Sequence, residues 1–336
     1  MRVAVLGVTG AVGGVMLELL AERVPSAEEL TPLASAASNG RRIDWRGRAW
    51  DVAPPSPGCF EGCALALFSA GSSASREWAP AAVAEGAVVI DNSSAWRMHE
   101  GVPLVVPEVN GERIRERPLG IVANPNCSAI QAVLPLAALR DAAGLRRVVY
   151  ATYQSASGAG ESGLRALRAE VADQGGARAA GDSPFPARLA GNVVPSVGGA
   201  AEGGWTEEED KVRAETRKIL ELPDLAVAAT CARVPVEIGH SVAVTVETEA
   251  PLEPGRAAEL IGARPGVELD QRPFGPLALE AAGTDSVRVG RVRADRDVPN
   301  TLHFWVVADN LRKGAALNAV QIAQRVLAEA EGGVAA

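Results

Sequence analysis

The sequence predicts an α/β protein of two domains, a parallel-sheet domain followed by an α+β one. Three observations carry this. The chain has 336 residues, more than one hydrophobic core usually organises. Residues 1–125 alternate short apolar runs with helical stretches, the pattern of a parallel sheet with crossover helices. From residue 146 the apolar runs lengthen and become rich in β-branched residues, which suggests a mixed or antiparallel sheet.

Each element has a local reason. The first strand is expected over residues 2–6, and Gly7, Gly10, Gly13 and Gly14 then turn the chain into a helix. A second strand ends near Leu33-Ala34-Ser35, with further strands at 64–68, 87–91 and 120–123. Ile130, Val133, Leu134, Ala137 and Leu139 recur at helical spacing after Asn124-Pro125-Asn126-Cys127-Ser128, so Cys127 is expected at a helix N-terminus. Strands are expected at 147–153, 226–236, 241–247, 287–292 and 302–307, and residues 175–195, rich in Gly, Ala and Pro, form a surface excursion or subunit-contact loop. Ala316, Val320, Ala323, Leu327 and Ala330 give a final helix over 313–331 one apolar face. The expected domains are residues 1–125, residues 126–312, and a C-terminal segment 313–336 that returns to the first.

Composition excludes several classes of function. The net charge is −8, from 33 basic and 41 acidic residues scattered along the chain. That argues against a nucleic-acid surface or a polybasic membrane anchor. The apolar start after Met1-Arg2 resembles a signal peptide, but four glycines and Glu18 interrupt it. No apolar run reaches the length of a membrane span. Four cysteines without metal-type spacing fit a reducing compartment, so a cytoplasmic protein acting on small molecules is expected. Cys59 and Cys63 form the one close pair; no histidine stands near, and no metal site is expected.

The chemistry lies in a few motifs. Gly7-Val8-Thr9-Gly10-Ala11-Val12-Gly13 follows the first strand and opens a helix, where glycines permit a tight turn and the approach of a pyrophosphate. The spacing differs from Gly-x-Gly-x-x-Gly, and a plain tight turn is the alternative. No acidic residue stands after the second strand to bond a ribose hydroxyl, whereas Ser35, Ser38, Arg41 and Arg42 offer hydroxyls and positive charge. That favours NADP over NAD. At a helix N-terminus Cys127 gains thiolate character. Of three histidines, His240 is the one in a Gly/Ser-flanked turn between strand-like runs, suited to acid/base work; an inert buried cysteine and an unrelated turn histidine are the alternative. Arg97, just past a strand end, suits a phosphate or carboxylate. Glu208 and Lys211 share a predicted helix face, as an anion-binding pair or an ordinary surface pair.

Asn124-Pro-Asn-Cys127-Ser, Tyr153-Gln154-Ser-Ala-Ser-Gly-Ala-Gly160, Arg233-Val-Pro-x4-His240-Ser and Asp309-Asn-Leu-Arg-Lys-Gly314-Ala-Ala together resemble the aspartate-β-semialdehyde dehydrogenase family nearly end to end. The resemblance implies a Rossmann-type dinucleotide-binding domain that includes the C-terminal helix, and an α+β catalytic and dimerisation domain of the semialdehyde dehydrogenase type. It implies NADP as cofactor, NAD being possible, and a homodimer or dimer of dimers. By resemblance Cys127 is the nucleophile, His240 the acid/base and Gln154 a catalytic residue that positions the substrate. Arg233 grips the substrate carboxylate, Asn126 and Glu208 orient the substrate, and Arg97, Lys211 and Asn126 hold phosphate. The implied cofactor contacts are Gly7, Thr9, Gly10, Ala11, Val12, Gly13, Ser35, Ser38, Ala70, Gly71, Ser157, Gly158 and Asn310.

The implied reaction is reversible, phosphate-dependent oxidation of aspartate semialdehyde to aspartyl phosphate through a cysteine thioester. Biosynthetic flux runs reductively, toward lysine, threonine and methionine. The sequence departs from the family at Ala37, where an Arg is typical, at Gly7-Val8 in place of Gly-Ala, and at Ser72 in place of a second Gly after Ala70-Gly71. Ala37 weakens the expectation of strict NADP preference. The alternatives are an N-acetyl-γ-glutamyl-phosphate reductase, whose motif usually reads Pro-Gly-Cys, and a silent paralogue acting as a binding protein, which would be expected to have lost Cys127 or His240.

Overall fold

The computed structural model describes residues 1–173, 183–330 and 332. It divides the chain into two units, one of Met1–Pro125 with Ala315–Ala336, the other Asn126–Gly314.

The first unit is built on β1 (Arg2–Leu6), α1 (Ala11–Arg23), β2 (Glu29–Leu33), a hairpin of β3 (Arg42–Trp45) and β4 (Arg48–Asp51), β5 (Cys63–Phe68), α2 (Ser72–Ala84), β6 (Val88–Asp91), α3 (Pro107–Asn110) and β7 (Ile121–Ala123). Five strands form one parallel sheet in the order β2-β1-β5-β6-β7. Buried on both faces, a parallel sheet needs near-continuous apolar strands, and Val3–Leu6 and Leu65–Phe68 are fully or almost fully buried. The terminal helix Leu317–Ala330 joins this core through Leu317, Val320, Ile322, Ala323 and Val326. It starts later than the expected residue 313, because Arg312–Ala316 forms a π turn in which the Gly314 N–H reaches back to the Asp309 carbonyl at 3.0 Å. Glu331, expected to end it, lies outside the described residues.

The second unit comprises α4 (Cys127–Ala143), β8 (Leu145–Gln154), α5 (Gly160–Ala172), α6 (Glu207–Leu220), β9 (Ala226–Arg233), β10 (His240–Thr248), α7 (Pro254–Gly262), β11 (Val267–Asp270), α8 (Ala278–Ala281), β12 (Val287–Ala294) and β13 (Thr301–Ala308). Its mixed sheet runs β11-β12-β13-β10-β8-β9, parallel at both edge pairs and antiparallel between. Helices α4, α6 and α7 pack against the sheet, where Val148, Tyr150, Val242, Val244, Phe304 and Val306 are buried. The alternate residues Ala151, Tyr153, Ala243, Thr245 and Trp305 share the other face, with Tyr153 and Trp305 rings 5.3 Å apart.

Two strand expectations need correction. The run expected to 236 stops at Arg233, because Pro235 has no N–H to continue the ladder. His240, expected in a turn, is the first residue of β10 and fully buried; the turn ends at Gly239, whose φ of +100° favours glycine. Of the expected excursion 175–195, residues 175–182 lie outside the described residues. The remainder, 183–195, is irregular chain tied down by the buried Glu170 carboxylate, which accepts the N–H groups of Leu189 (2.7 Å) and Ala190 (3.0 Å).

Candidate active site

In the first unit the three glycines at the passage from β1 into α1 differ in what surrounds them. Gly7 has φ +88°, and a Cβ there would meet the Ser69 carbonyl oxygen at 2.6 Å; a Cβ on Gly13 would lie 2.3 Å from the Gly7 oxygen. The first permits the turn and the third lets helix approach strand, while Gly10, with one neighbour at 3.4 Å, leaves the helix N-terminus open. That division fits a dinucleotide pyrophosphate at the start of α1, which carries no acidic residue in its first turn. Thr9 and Ala11–Val12 occupy the same turn, and Thr9 Oγ1 lies 3.2 Å from Ser38 Oγ. Ser35 and Ala37 are exposed beyond β2, and Arg42 is paired with Asp51 at 3.1 Å. Ala70 and Gly71 stand at the C-terminal end of β5, with Gly71 capping α2. Beside them Asn92, just past β6, keeps both side-chain amide atoms buried without a hydrogen-bond partner among the described residues, a polar group available to a ligand at the edge where open α/β sheets bind them.

Arg97 follows a turn built on Asp91, whose buried carboxylate accepts Ser93 Oγ at 2.7 Å and is raised in pKa by that burial. The guanidinium is itself buried, with Nε donating to the Asn124 carbonyl (3.0 Å) and Nη2 to that of Asn92 (2.7 Å). These bonds fix its plane.

The second unit brings together most of the remaining candidates. Cys127 is the first residue of α4, and the Asn126 side chain caps the helix by accepting the Ser128 N–H at 2.8 Å. The helix end favours a thiolate. The other three cysteines are poor rivals: none of the four forms a disulfide, and burial raises the Cys59 and Cys63 thiols and pushes Cys231 up to about 12. Glu208, buried on α6, accepts Asn126 Nδ2 at 2.8 Å and Gln154 Nε2 at 3.0 Å through one oxygen. It therefore holds the amides of both Asn126 and Gln154. A second buried carboxylate, Glu215, accepts the Asn126 backbone N–H at 2.5 Å.

Arg233 ends β9, and its Nη1 donates to the Ser155 carbonyl at 2.7 Å. Burial lowers its pKa, while the charges of Cys127 and Glu208 oppose that. His240 is held well below its ordinary value of 6.5 by burial and then by Arg233. Arg233 is thus the charge felt by both Cys127 and His240. Gly158 leaves room for Arg233 and His240 together: a Cβ there would lie 2.6 Å from Arg233 Nη1 and 3.2 Å from His240 Nε2. A pocket of about 470 Å³ lined by Ala159, Phe185, Val197 and Arg233 adjoins it, with the Phe185 ring 5.9 Å from the guanidinium.

The other candidates have protein partners of their own. Lys211 shares α6 with Glu208 but pairs with Glu207, one turn away, at 3.7 Å. Asn310 and Ser157 are buried and bonded to each other at 2.9 Å. Sequence reading missed Ser155, Glu215 and Asn92. Ser155 lies inside a quoted motif, yet no spacing rule ties it to a histidine 85 residues on.

Comparisons with known proteins bear on the family of the whole chain. The family model for the semialdehyde dehydrogenase NAD binding domain matches residues 2–117, and that for the dimerisation domain matches residues 136–313. The aspartate-semialdehyde dehydrogenase of Aquifex aeolicus is 45% identical over 334 residues, covering 98% of each chain. That of Streptomyces akiyoshiensis is 46% identical over 345 residues, covering 99% of this chain and 100% of its own. The crystal structure of aspartate semialdehyde dehydrogenase II from Vibrio cholerae, complexed with ASA, superposes with a TM-score of 0.94 at 42% identity, covering 97% of this chain and 98% of that one. With a Rossmann-type dinucleotide-binding unit, a catalytic and dimerisation unit, and relatives aligned across nearly its whole length, the chain belongs to the aspartate-semialdehyde dehydrogenases, oxidoreductases that act on an aldehyde.

Proposed function

We propose that the protein catalyses the reversible, phosphate-dependent conversion of aspartate semialdehyde to aspartyl phosphate, with NADP as the preferred dinucleotide and Cys127 as the covalent nucleophile. The observation that carries this reading is Arg233, one buried guanidinium anchored to the Ser155 carbonyl at 2.7 Å and set so near the His240 ring that a Cβ on Gly158 would crowd both. It offers a substrate carboxylate a fixed cation beside a thiol and an imidazole.

Cys127 Sγ adds to the aldehyde carbon, and the carbonyl oxygen takes a proton to give a thiohemiacetal. His240 then removes that hydroxyl proton as the carbon loses hydride, leaving a thioester on Cys127. The Gly7–Gly13 turn, Ser35, Ser38, Ala70 and Gly71 would hold the dinucleotide, which when bound would supply the hydride acceptor. Phosphate attacks the thioester carbon, the Cys127 thiolate leaves, and aspartyl phosphate results. Lys211 and Asn126 are assigned to the phosphate, and Arg97 keeps the role of an anion-binding guanidinium on the dinucleotide unit. Glu208 orients Gln154 and Asn126 by accepting one N–H from each amide, and the second N–H of each is assigned to the substrate. In the biosynthetic direction the same steps reverse, feeding lysine, threonine and methionine. The four thiols outside any disulfide suit a cytoplasmic setting.

A homodimer is part of this reading. The sheet face carrying Ala151, Tyr153, Ala243, Thr245 and Trp305 offers small and aromatic side chains to a second copy, in the unit matched by the dimerisation-domain model.

The reading is tested by phosphate-dependent NADP reduction with aspartate semialdehyde against N-acetylglutamate semialdehyde. Preference for the acetylated substrate would move the protein to the reductase alternative. Cys127→Ser is expected to lose turnover and keep dinucleotide binding. More than about a tenth of wild-type kcat, a barrier change under ~1.4 kcal/mol, would rule out thioacyl catalysis.

A further inference from the structure

His240 begins β10, the strand that lies between β13 and β8 and runs antiparallel to both. In that register His240 is opposite Ala308 and Ser241 is opposite Tyr153. The residues just beyond the ends of both neighbouring strands, Asn310 and Ser155, therefore arrive beside the start of β10. The backbone N–H of Ser155 donates to His240 Nδ1 at 3.0 Å, and the Ser155 hydroxyl oxygen stands 3.0 Å from the same nitrogen. That hydroxyl donates to Asn310 Oδ1 at 2.9 Å. The same amide oxygen accepts the Gly239 N–H at 2.9 Å, which fixes the orientation of the amide. Ser157 Oγ, 3.1 Å away, completes its surroundings. His240 Nε2 is buried and has no hydrogen-bond partner among the described residues.

Nδ1 thus faces one group that can only donate and one that can accept. A backbone N–H is satisfied only by a lone pair on Nδ1, the neutral tautomer with its proton on Nε2. A ring in that state has no lone pair on Nε2 to take a proton from a hydroxyl. The working base needs its proton on Nδ1, and so does the imidazolium formed when Nε2 accepts. Both states require an acceptor at Nδ1. The Ser155 hydroxyl serves, because its own proton is directed to an amide oxygen that cannot donate.

We propose that Ser155, its hydroxyl oriented by Asn310, is a positioning residue that decides which nitrogen of His240 carries the proton. The backbone N–H holds the resting ring, and Oγ supports the protonated one during turnover. This rests on the reading of His240 as the acid/base, and it gives Asn310 a role beyond contact with the cofactor.

The charged neighbours bear on the same step. Arg233, from the end of β9, bonds the Ser155 carbonyl and opposes positive charge on the ring. Cys127 and Glu208 act on Arg233. Asp309, next to Asn310, accepts the N–H groups of Gly283, Leu311 and Arg312, and Glu237, before Gly239, pairs with Arg168 at 2.6 Å. Each of these two carboxylates is bonded to groups other than the imidazole. Burial and Arg233 both disfavour the imidazolium, so an acceptor at Nδ1 matters more here than it would for an exposed histidine.

The test uses the full chain labelled with ¹⁵N-histidine. With three histidines in the sequence, the His240 signals are identified by their loss in His240→Asn. Ser155→Ala is expected to fix the ring in its Nε2–H form and to lower the pH at which it titrates by about one unit. The acid limb of kcat/KM for semialdehyde oxidation should move down with it. Its kcat should fall by about 100-fold with the semialdehyde KM little changed, and Ser155→Thr, which keeps a hydroxyl, should recover most of the loss. Asn310→Ala, which frees the serine proton to turn toward Nδ1, should shift the titration in the same direction and serves if Ser155→Ala does not fold. A His240 tautomer and titration unchanged from wild type in the folded variants overturns the proposal, whatever their rates. Wild-type turnover in His240→Asn would instead remove the acid/base reading, while the ring signals would still report the hold of Ser155.

Discussion

A Cβ placed on Gly314 would lie 2.9 Å from the Cβ of Cys127 and 3.4 Å from its Cα. The π turn of Arg312–Ala316 therefore brings a bare backbone against the first residue of α4, and no larger residue fits without moving Cys127. Gly314→Ala is expected to leave the fold intact and lower kcat by at least about 10-fold, since overpacking of this kind costs roughly 1–3 kcal/mol. The rate of Cys127 alkylation by iodoacetamide should change alongside. Wild-type values for both would show that the start of α4 yields to the extra methyl group.

Arg233→Lys separates carboxylate recognition from phosphate recognition. A guanidinium anchored through Nη1 to the Ser155 carbonyl still presents other N–H groups in a fixed fork, which an ammonium cannot reproduce. A fall of about 100-fold in kcat/KM for the semialdehyde is expected, roughly 2.7 kcal/mol, with the phosphate KM nearly unchanged. Equal increases in both KM values would give Arg233 a shared or structural role.

The buried imidazole makes a pH prediction with a definite sign. Burial and Arg233 hold the folded pKa of His240 well below 6.5, so the folded chain keeps the ring neutral where the unfolded chain takes up a proton. The unfolded state then binds more protons as pH falls below 6.5, and stability declines from there down to the folded pKa, with no such effect above it. Denaturant titrations at pH 7 and about pH 5.5 should show a larger loss for wild type than for His240→Asn. In kinetics, the acid limb of kcat/KM in the oxidative direction should lie below pH 6.5 and vanish in that variant. An equal loss of stability in both proteins would place the acid sensitivity elsewhere.

The proposed preference for NADP rests on the segment after β2. Ser35 and Ser38 can bond a 2′-phosphate, but Ala37 brings no charge and Arg42 is paired with Asp51. A modest preference for NADP is expected in wild type. Ala37→Arg should lower the NADP KM by about 10-fold or more and leave the NAD KM alone, because a charge-assisted bond to phosphate is worth roughly 1.5–3 kcal/mol. Steady-state kinetics with both dinucleotides decide it; a wild type that prefers NAD, or a variant with no shift, would place the ribose elsewhere.

The sequence by itself determined what local rules govern. Apolar alternation locates β1, β5, β6 and β7 within a residue or so, the glycine spacing marks the turn into α1, and Asn126-Cys127 marks the start of α4, because propensity, capping and strand period act over a few neighbours. Four ordered motifs carry the family resemblance for the same reason, as strings of adjacent residues. Only the tertiary structure decided which groups meet. Glu208 holds Asn126 and Gln154 across 82 and 54 positions, and Ser155 and Asn310 converge on His240 because β8 and β13 flank β10. The Gly/Ser signal puts His240 in a turn, whereas it marks only where a turn ends and not which side of that end is buried. Spacing alone pairs Lys211 with Glu208, but burial takes Glu208 inward to the two amides and leaves Lys211 beside Glu207. Register and burial are long-range outcomes of sheet pairing and core packing, so pairings of this kind are set by the whole unit and not by any local string of residues.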